Sequence, residues 1–217
     1  MRRVKIVTEE LAERLEERFG RNEPIFVKDI AEAWSEYSQS SVYQLIRLLC
    51  EDGTLMKDIP GVYYLPADAD WMEGTLSLDT MKIVERRYMK NRKGKVLGYY
   101  SGQTLMNMVG LSNQVPAVDE IVTMNESTRI RRVSIGKARF ILRRAKIEIN
   151  EKNAPVMQLL EIFNQYDKPL ARYQQENLIA LARGKIDKEV LKECAKYFPR
   201  RALQNLKRSE VYDVLAQ

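Results

Sequence analysis

A chain of 217 residues with 45% hydrophobic content can bury a real core and suits about one to three domains, so a mainly disordered protein is excluded. It has no histidine, which rules out histidine triads, histidine general bases and histidine-containing zinc sites. The net charge of +6 favours a polyanionic partner, but it is unevenly spread. Residues 1–65 hold nine basic against twelve acidic side chains, residues 66–150 fifteen against nine, and residues 151–217 twelve against nine. Cys50 and Cys194, far apart and each inside a helical pattern, read as thiols in a reducing compartment. No apolar run reaches the length of about 18 residues that a membrane span needs, and Arg2 and Arg3 are soon followed by Glu9 and Glu10 rather than by a signal-peptide core. A cytoplasmic protein without membrane contact is expected.

In chain order, Thr8 reads as an N-cap, with Glu9 and Glu10 in the first turn where they complement the helix dipole. Leu11, Ala12, Leu15 and Phe19 form that helix's apolar face, and Gly20 stops it. Ahead of it, Arg2, Arg3 and Lys5 form a basic arm that either touches DNA or is charged for solubility alone. A short amphipathic segment over 26–34 places Val27, Ile30, Ala31 and Trp34 on one face, and residues 35–38 form a polar link.

The spacing of Val42, Leu45, Ile46, Leu49 and Cys50 then predicts a helix over 40–51 with one buried stripe. Its other side carries Gln39, Ser41, Tyr43, Gln44 and Arg47, hydrogen-bonding groups of the kind that read base edges or grip phosphates. Residues 54–57 and 62–65 predict two strands around the turn Asp58-Ile59-Pro60-Gly61, with Lys57 on the hairpin. Two helices, a short link and a hairpin are the order of a winged helix-turn-helix over 1–65; the bland alternative is a small helical subdomain with a solvated polar face.

Residues 66–74 break every period and read as a linker. A helix is predicted over 78–90, its end merging into the densest basic cluster of the chain: Arg86, Arg87, Lys90, Arg92, Lys93 and Lys95. That cluster is a phosphate-contacting patch or a solvated helix end. A short helix at 102–109, a strand over 118–122 and a hairpin of strands 130–135 and 139–144 around Gly136-Lys137 complete a basic α/β domain over 74–150 with a small sheet. From 151 to 217 the grammar is helical, with four helices, Asp187 capping the third and the last running over 200–215. The fold class expected is therefore α+β.

Asp119 and Glu120 invite comparison with metal-dependent nucleases, which hold Mg²⁺ through oxygen ligands. The matching strand reads Phe140-Ile141-Leu142-Arg143-Arg144-Ala145-Lys146 and offers no carboxylate, so the two acids read as a water-exposed strand-end pair. No phosphate loop or dinucleotide fingerprint occurs. No enzyme, metal or cofactor is expected.

Ser101-Gly102, Asn107, Gly110-Leu111, Gln114-Val115-Pro116 and the basic hairpin after them resemble the AbiEi-type antitoxin family, over about residues 5–150. The resemblance implies a winged helix-turn-helix followed by an α/β domain, in a bacterial transcriptional regulator. It further implies the antitoxin of a type IV toxin-antitoxin pair that represses the shared promoter. Such an antitoxin opposes a nucleotidyltransferase-like toxin without necessarily forming a stable complex with it. The partner expected is double-stranded operator DNA. The alternative is a non-catalytic interaction module whose basic central domain binds RNA or an acidic protein.

Overall fold

The computed structural model describes residues 2–67, 77–184 and 186–216. The chain divides into two units, Met1–Val84 and Glu85–Gln217. Most of the expected linker at 66–74 lies outside the described residues. The architecture is α+β, with N-terminal helices, a mixed sheet and C-terminal helices. Among the described residues no helix is long and apolar enough to cross a membrane.

The first unit runs α1 (Arg2–Phe19), β1 (Ile25–Phe26), α2 (Val27–Ala33), α3 (Gln39–Glu51), β2 (Met56–Ile59) and β3 (Val62–Tyr64). Helix α1 begins at Arg2 rather than at Thr8, because no glycine or proline interrupts 2–8. Thr8 is accordingly a buried residue within the helix and not its cap, and the expected arm is helical. Leu11 and Leu15 pack with Ile30 of α2, with Trp34 at its C-terminal end and with Val42, Ile46 and Leu49 of α3 in one core. The Trp34 indole N–H donates to the Leu11 carbonyl at 3.4 Å. At seven residues α2 is too short to persist alone, so this packing holds it. The Asp29 carboxylate accepts the Phe26 N–H at 3.1 Å at its start.

The Ser38 hydroxyl caps α3 by accepting the Ser41 N–H at 3.2 Å. After Asp52 the chain turns through Gly53 at φ +81, a left-handed conformation that glycine alone adopts freely. Thr54 belongs to that turn, its N–H bonded to Asp52 Oδ1 at 2.9 Å, so the hairpin starts two residues later than its composition suggests. The sheet order is β1-β3-β2, all antiparallel, with a bulge between Lys57 and Ile59. Strand β1 has no signature in the sequence, being only two residues long.

The helix expected over 78–90 is α4 (Thr80–Val84) followed by a π-helical turn, Glu85–Met89, in which Lys90 N–H donates to the Glu85 carbonyl at 2.8 Å. Beyond it come β4 (Gly98–Ser101), α5 (Gly102–Met108), β5 (Asp119–Thr123), β6 (Ile130–Ile135) and β7 (Ala138–Arg144). The sheet order is β4-β5-β7-β6, with β5 and β7 parallel and the other neighbours antiparallel. Next are α6 (Asn153–Gln165), α7 (Arg172–Leu181), α8 (Lys188–Ala195), α9 (Arg200–Lys207) and α10 (Glu210–Leu215).

Register puts Tyr99, Glu120, Val122, Ile141 and Arg143 on one sheet face and Ile121, Phe140 and Leu142 on the other. Helix α6 lies on the first face, its Gln158 amide donating to the Tyr100 carbonyl at 3.2 Å. Tyr88 of the π-helical turn is buried close to Arg131, whose side chain the register puts on the second. Helix α6 is buried almost all round, and its Leu159, Leu160 and Phe163 join Tyr99 and Leu105 to Leu178, Leu191 and Leu206. One core therefore runs across residue 150, although the composition changes there.

Candidate nucleic-acid interface

Helix α3 separates its two sides cleanly. Val42, Ile46 and Leu49 are buried and Leu45 and Cys50 half-buried, while Gln39, Tyr43, Gln44 and Arg47 are exposed. Ser41 is half-buried because its hydroxyl lies 2.9 Å from that of Ser38, inside the capping turn. Two residues of this side carried no signal of their own. Ser40 is exposed, its hydroxyl 2.9 Å from that of Ser38, and Leu48 is 38% exposed beside Arg47. Tyr43, 49% exposed, is the largest apolar surface on the helix.

Arg47 Nε donates to Glu51 Oε1 at 2.7 Å, one turn along, and that carboxylate raises the arginine's pKa. Both partners stand in water, so the pair is weak and exchangeable for a phosphate. Lys57 is exposed on β2. It lies close enough to Cys50 to lower the thiol's pKa, against a larger upward push from burial.

The basic cluster belongs to the second unit. Asn91 N–H donates to the Lys95 carbonyl and Gly94 N–H to the Asn91 carbonyl, both at 3.0 Å, and the Asn91 side chain accepts the Lys95 N–H at 3.0 Å. This tight tip projects Arg92 and Lys93 into solvent. Arg87 is exposed with its guanidinium 5.6 Å from the Tyr88 ring centre, and Arg86 is half-buried. Lys90 is exposed, and Lys95 is tied to Glu148 at 2.8 Å. Arg87 is thus engaged by a ring and Lys95 by a carboxylate.

Asp119 and Glu120 are not the exposed pair expected. Asp119 accepts the Thr104 hydroxyl at 3.2 Å. Glu120, only 16% exposed, is bound by Arg143 at 2.5 Å, and Arg143 also reaches Glu161 of α6 at 3.5 Å. The arginine that counts against a metal site neutralises the acid instead. Burial pushes the Glu161 carboxyl up to about 7, against the pull of Arg143, while Glu120 adds to the rise. Burial and the Glu161 charge also raise Tyr99. The Ser101 hydroxyl, Arg143 Nε and Glu161 Oε2 are buried without a hydrogen-bond partner among the described residues. No group of three or more acids or cysteines among those residues is placed to hold a metal ion.

The run that carries the family resemblance has local structural reasons. Gly102 sits at φ +55, where an added Cβ would lie 2.3 Å from Glu120 Oε1. Asn107 donates its amide to the Ser112 carbonyl at 3.1 Å, shaping the loop after α5. The Gly110 carbonyl accepts the Gln174 amide at 2.9 Å, which ties that loop to α7. Val115, 83% exposed, has no such reason. Compared with protein-family models and with curated proteins, the chain matches none.

Proposed function

We propose that this chain is a DNA-binding transcriptional regulator, its first unit a winged helix-turn-helix, acting as antitoxin and autorepressor of a type IV toxin-antitoxin pair. The observation that carries the DNA reading is the division of α3: an apolar side locked to α1 and α2, and a solvent side presenting Gln39, Tyr43, Gln44 and Arg47. A helix held from behind in this way can enter a major groove without unfolding its support. Gln44 and Arg47 have the donor geometry for adenine and guanine edges, and Lys57 on the adjoining hairpin suits the backbone. The basic loop at 86–95 adds cations for phosphate. The antitoxin role rests on the family resemblance alone. Its nucleotidyltransferase-like partner is opposed functionally, and no catalytic step is assigned to this chain.

The test is a titration of the DNA upstream of the chain's own gene, against an unrelated duplex, at fixed salt. Arg47→Ala weakens the specific duplex by about tenfold or more and leaves the unrelated one nearly unchanged. Lys57→Ala reduces the slope of log affinity against log salt by about one on both. Unchanged affinity in Arg47→Ala removes the α3 contact, and equal affinity for both duplexes in the parent removes sequence reading.

A further inference from the structure

Strand β6 is an edge of the four-stranded sheet, and the hydrogen-bond phase of its pairing with β7 shows which groups face outward. Arg144 N–H donates to the Arg129 carbonyl at 3.3 Å, and Ala145 N–H turns the other way to the Thr123 carbonyl at 3.0 Å. Register pairs Ile130 with Arg143, Arg131 with Leu142 and Arg132 with Ile141. In an antiparallel ladder bonded pairs alternate with unbonded ones. Arg131, Val133 and Ile135 therefore spend their backbone groups on β7, while those of Ile130, Arg132 and Ser134 point away from the sheet. The side chains of these three share the face that carries Arg139 and Ile141.

All three are exposed, Ile130 at 57% despite its apolar side chain. Arg132 and Arg139 have no ion partner among the described residues, whereas Arg131 is held by Glu126 at 2.8 Å. Residues 129–144 contain six arginines, one lysine and no acid. An open edge is a template for a further strand unless something blocks it. A second copy of this chain is disfavoured, since it would set the same cations against themselves. A single-stranded nucleic acid would need exposed aromatic platforms for its bases, and the one aromatic residue of the hairpin, Phe140, is buried.

We infer that β6 is a docking edge for an extended acidic segment of a partner protein, which adds as a fifth strand. Backbone groups of Ile130, Arg132 and Ser134 supply the ladder, and the side chains supply selectivity. The residue opposite Ile130 is apolar and the residue opposite Arg132, two positions along, is a carboxylate, with Arg139 in reach of a second acid on the same face. This develops the interaction-module alternative and does not depend on whether α3 reads DNA.

The experiment is fluorescence anisotropy on the full chain with a labelled peptide of repeating Thr-Val-Thr-Glu units, which sets valine and glutamate on one face of a strand. The parent binds it. Arg132→Glu weakens binding by about tenfold or more, the change expected when a charge-assisted contact becomes a repulsion. Ser134→Pro abolishes binding while sparing β7, because the amide it removes points outward. Arg47→Ala leaves peptide binding intact even where it abolishes DNA binding, so the two readings fail separately. Should Ser134→Pro not fold, the same peptide methylated on alternate backbone nitrogens takes its place and fails to bind. The inference is overturned by no binding to the parent, by equal binding of the methylated peptide, or by a short single-stranded RNA that displaces the peptide and is itself insensitive to Arg132→Glu.

Discussion

Glu161 and Glu126 are two buried glutamates whose surroundings drive them in opposite directions. Glu161 keeps its proton up to about 7 in the folded protein, against an ordinary value of 4.5, because burial outweighs the help of Arg143. The folded state thus binds more protons than the unfolded one in that window, and stability falls as pH rises through it. In urea unfolding between pH 5 and pH 8, Glu161→Gln should gain on the parent as pH rises; a constant difference between the two would remove the assignment. Burial also works against Glu126, but the Thr128 N–H and hydroxyl and the Arg131 guanidinium outweigh it and hold the carboxyl at about 2. Its stabilisation is complete above 4.5 and lost as pH falls toward 2, so Glu126→Gln should cost most at neutral pH. Gly102→Ala meets both an unfavourable φ and a carboxylate already fixed by Arg143. A loss of about 1–2 kcal/mol from the left-handed backbone alone is expected in thermal unfolding.

At the level of elements, periodicity located what is long and one-sided. The stripe from Val42 to Cys50 predicted α3 to within a residue of its start, and the Gly136-Lys137 turn predicted the β6–β7 hairpin. Elements without a full period were missed. Gly98-Tyr99-Tyr100-Ser101 reads as the approach to a helix, yet it pairs with β5 over its whole length. The last helix breaks at Arg208-Ser209 into α9 and α10, with the Ser209 hydroxyl bonded to the Leu206 carbonyl at 2.6 Å and neither glycine nor proline to announce it. The polar side of α3 was legible because exposure follows from the stripe opposite. The engagement of Glu120 was not, since its partner Arg143 comes from a parallel neighbour strand and is shared with Glu161 of a distant helix. Because Leu160 of α6 is fully buried, Leu160→Ala should cost about 2–5 kcal/mol, measured by urea unfolding.

Across the whole molecule, the core and the charge follow different boundaries. The apolar cluster that starts at Tyr99 and Leu105 ends at Val211 and Leu215, so residues 151–217 are part of what holds the sheet. Removing them should leave Tyr99, Leu105 and Met106 exposed, and a chain ending at 150 should lose cooperative unfolding of its second unit. A chain beginning at Glu85 keeps that core entire and should melt cooperatively; failure to do so would show that the first unit is required. Between β5 and its parallel neighbour β7 the chain travels outward to form β6 and then returns. Closing a two-residue turn is fast and joining distant segments is slow, so the hairpin is expected to close before β5 docks onto it. During synthesis, therefore, β5 waits with one flank unmatched until Arg144 has left the ribosome.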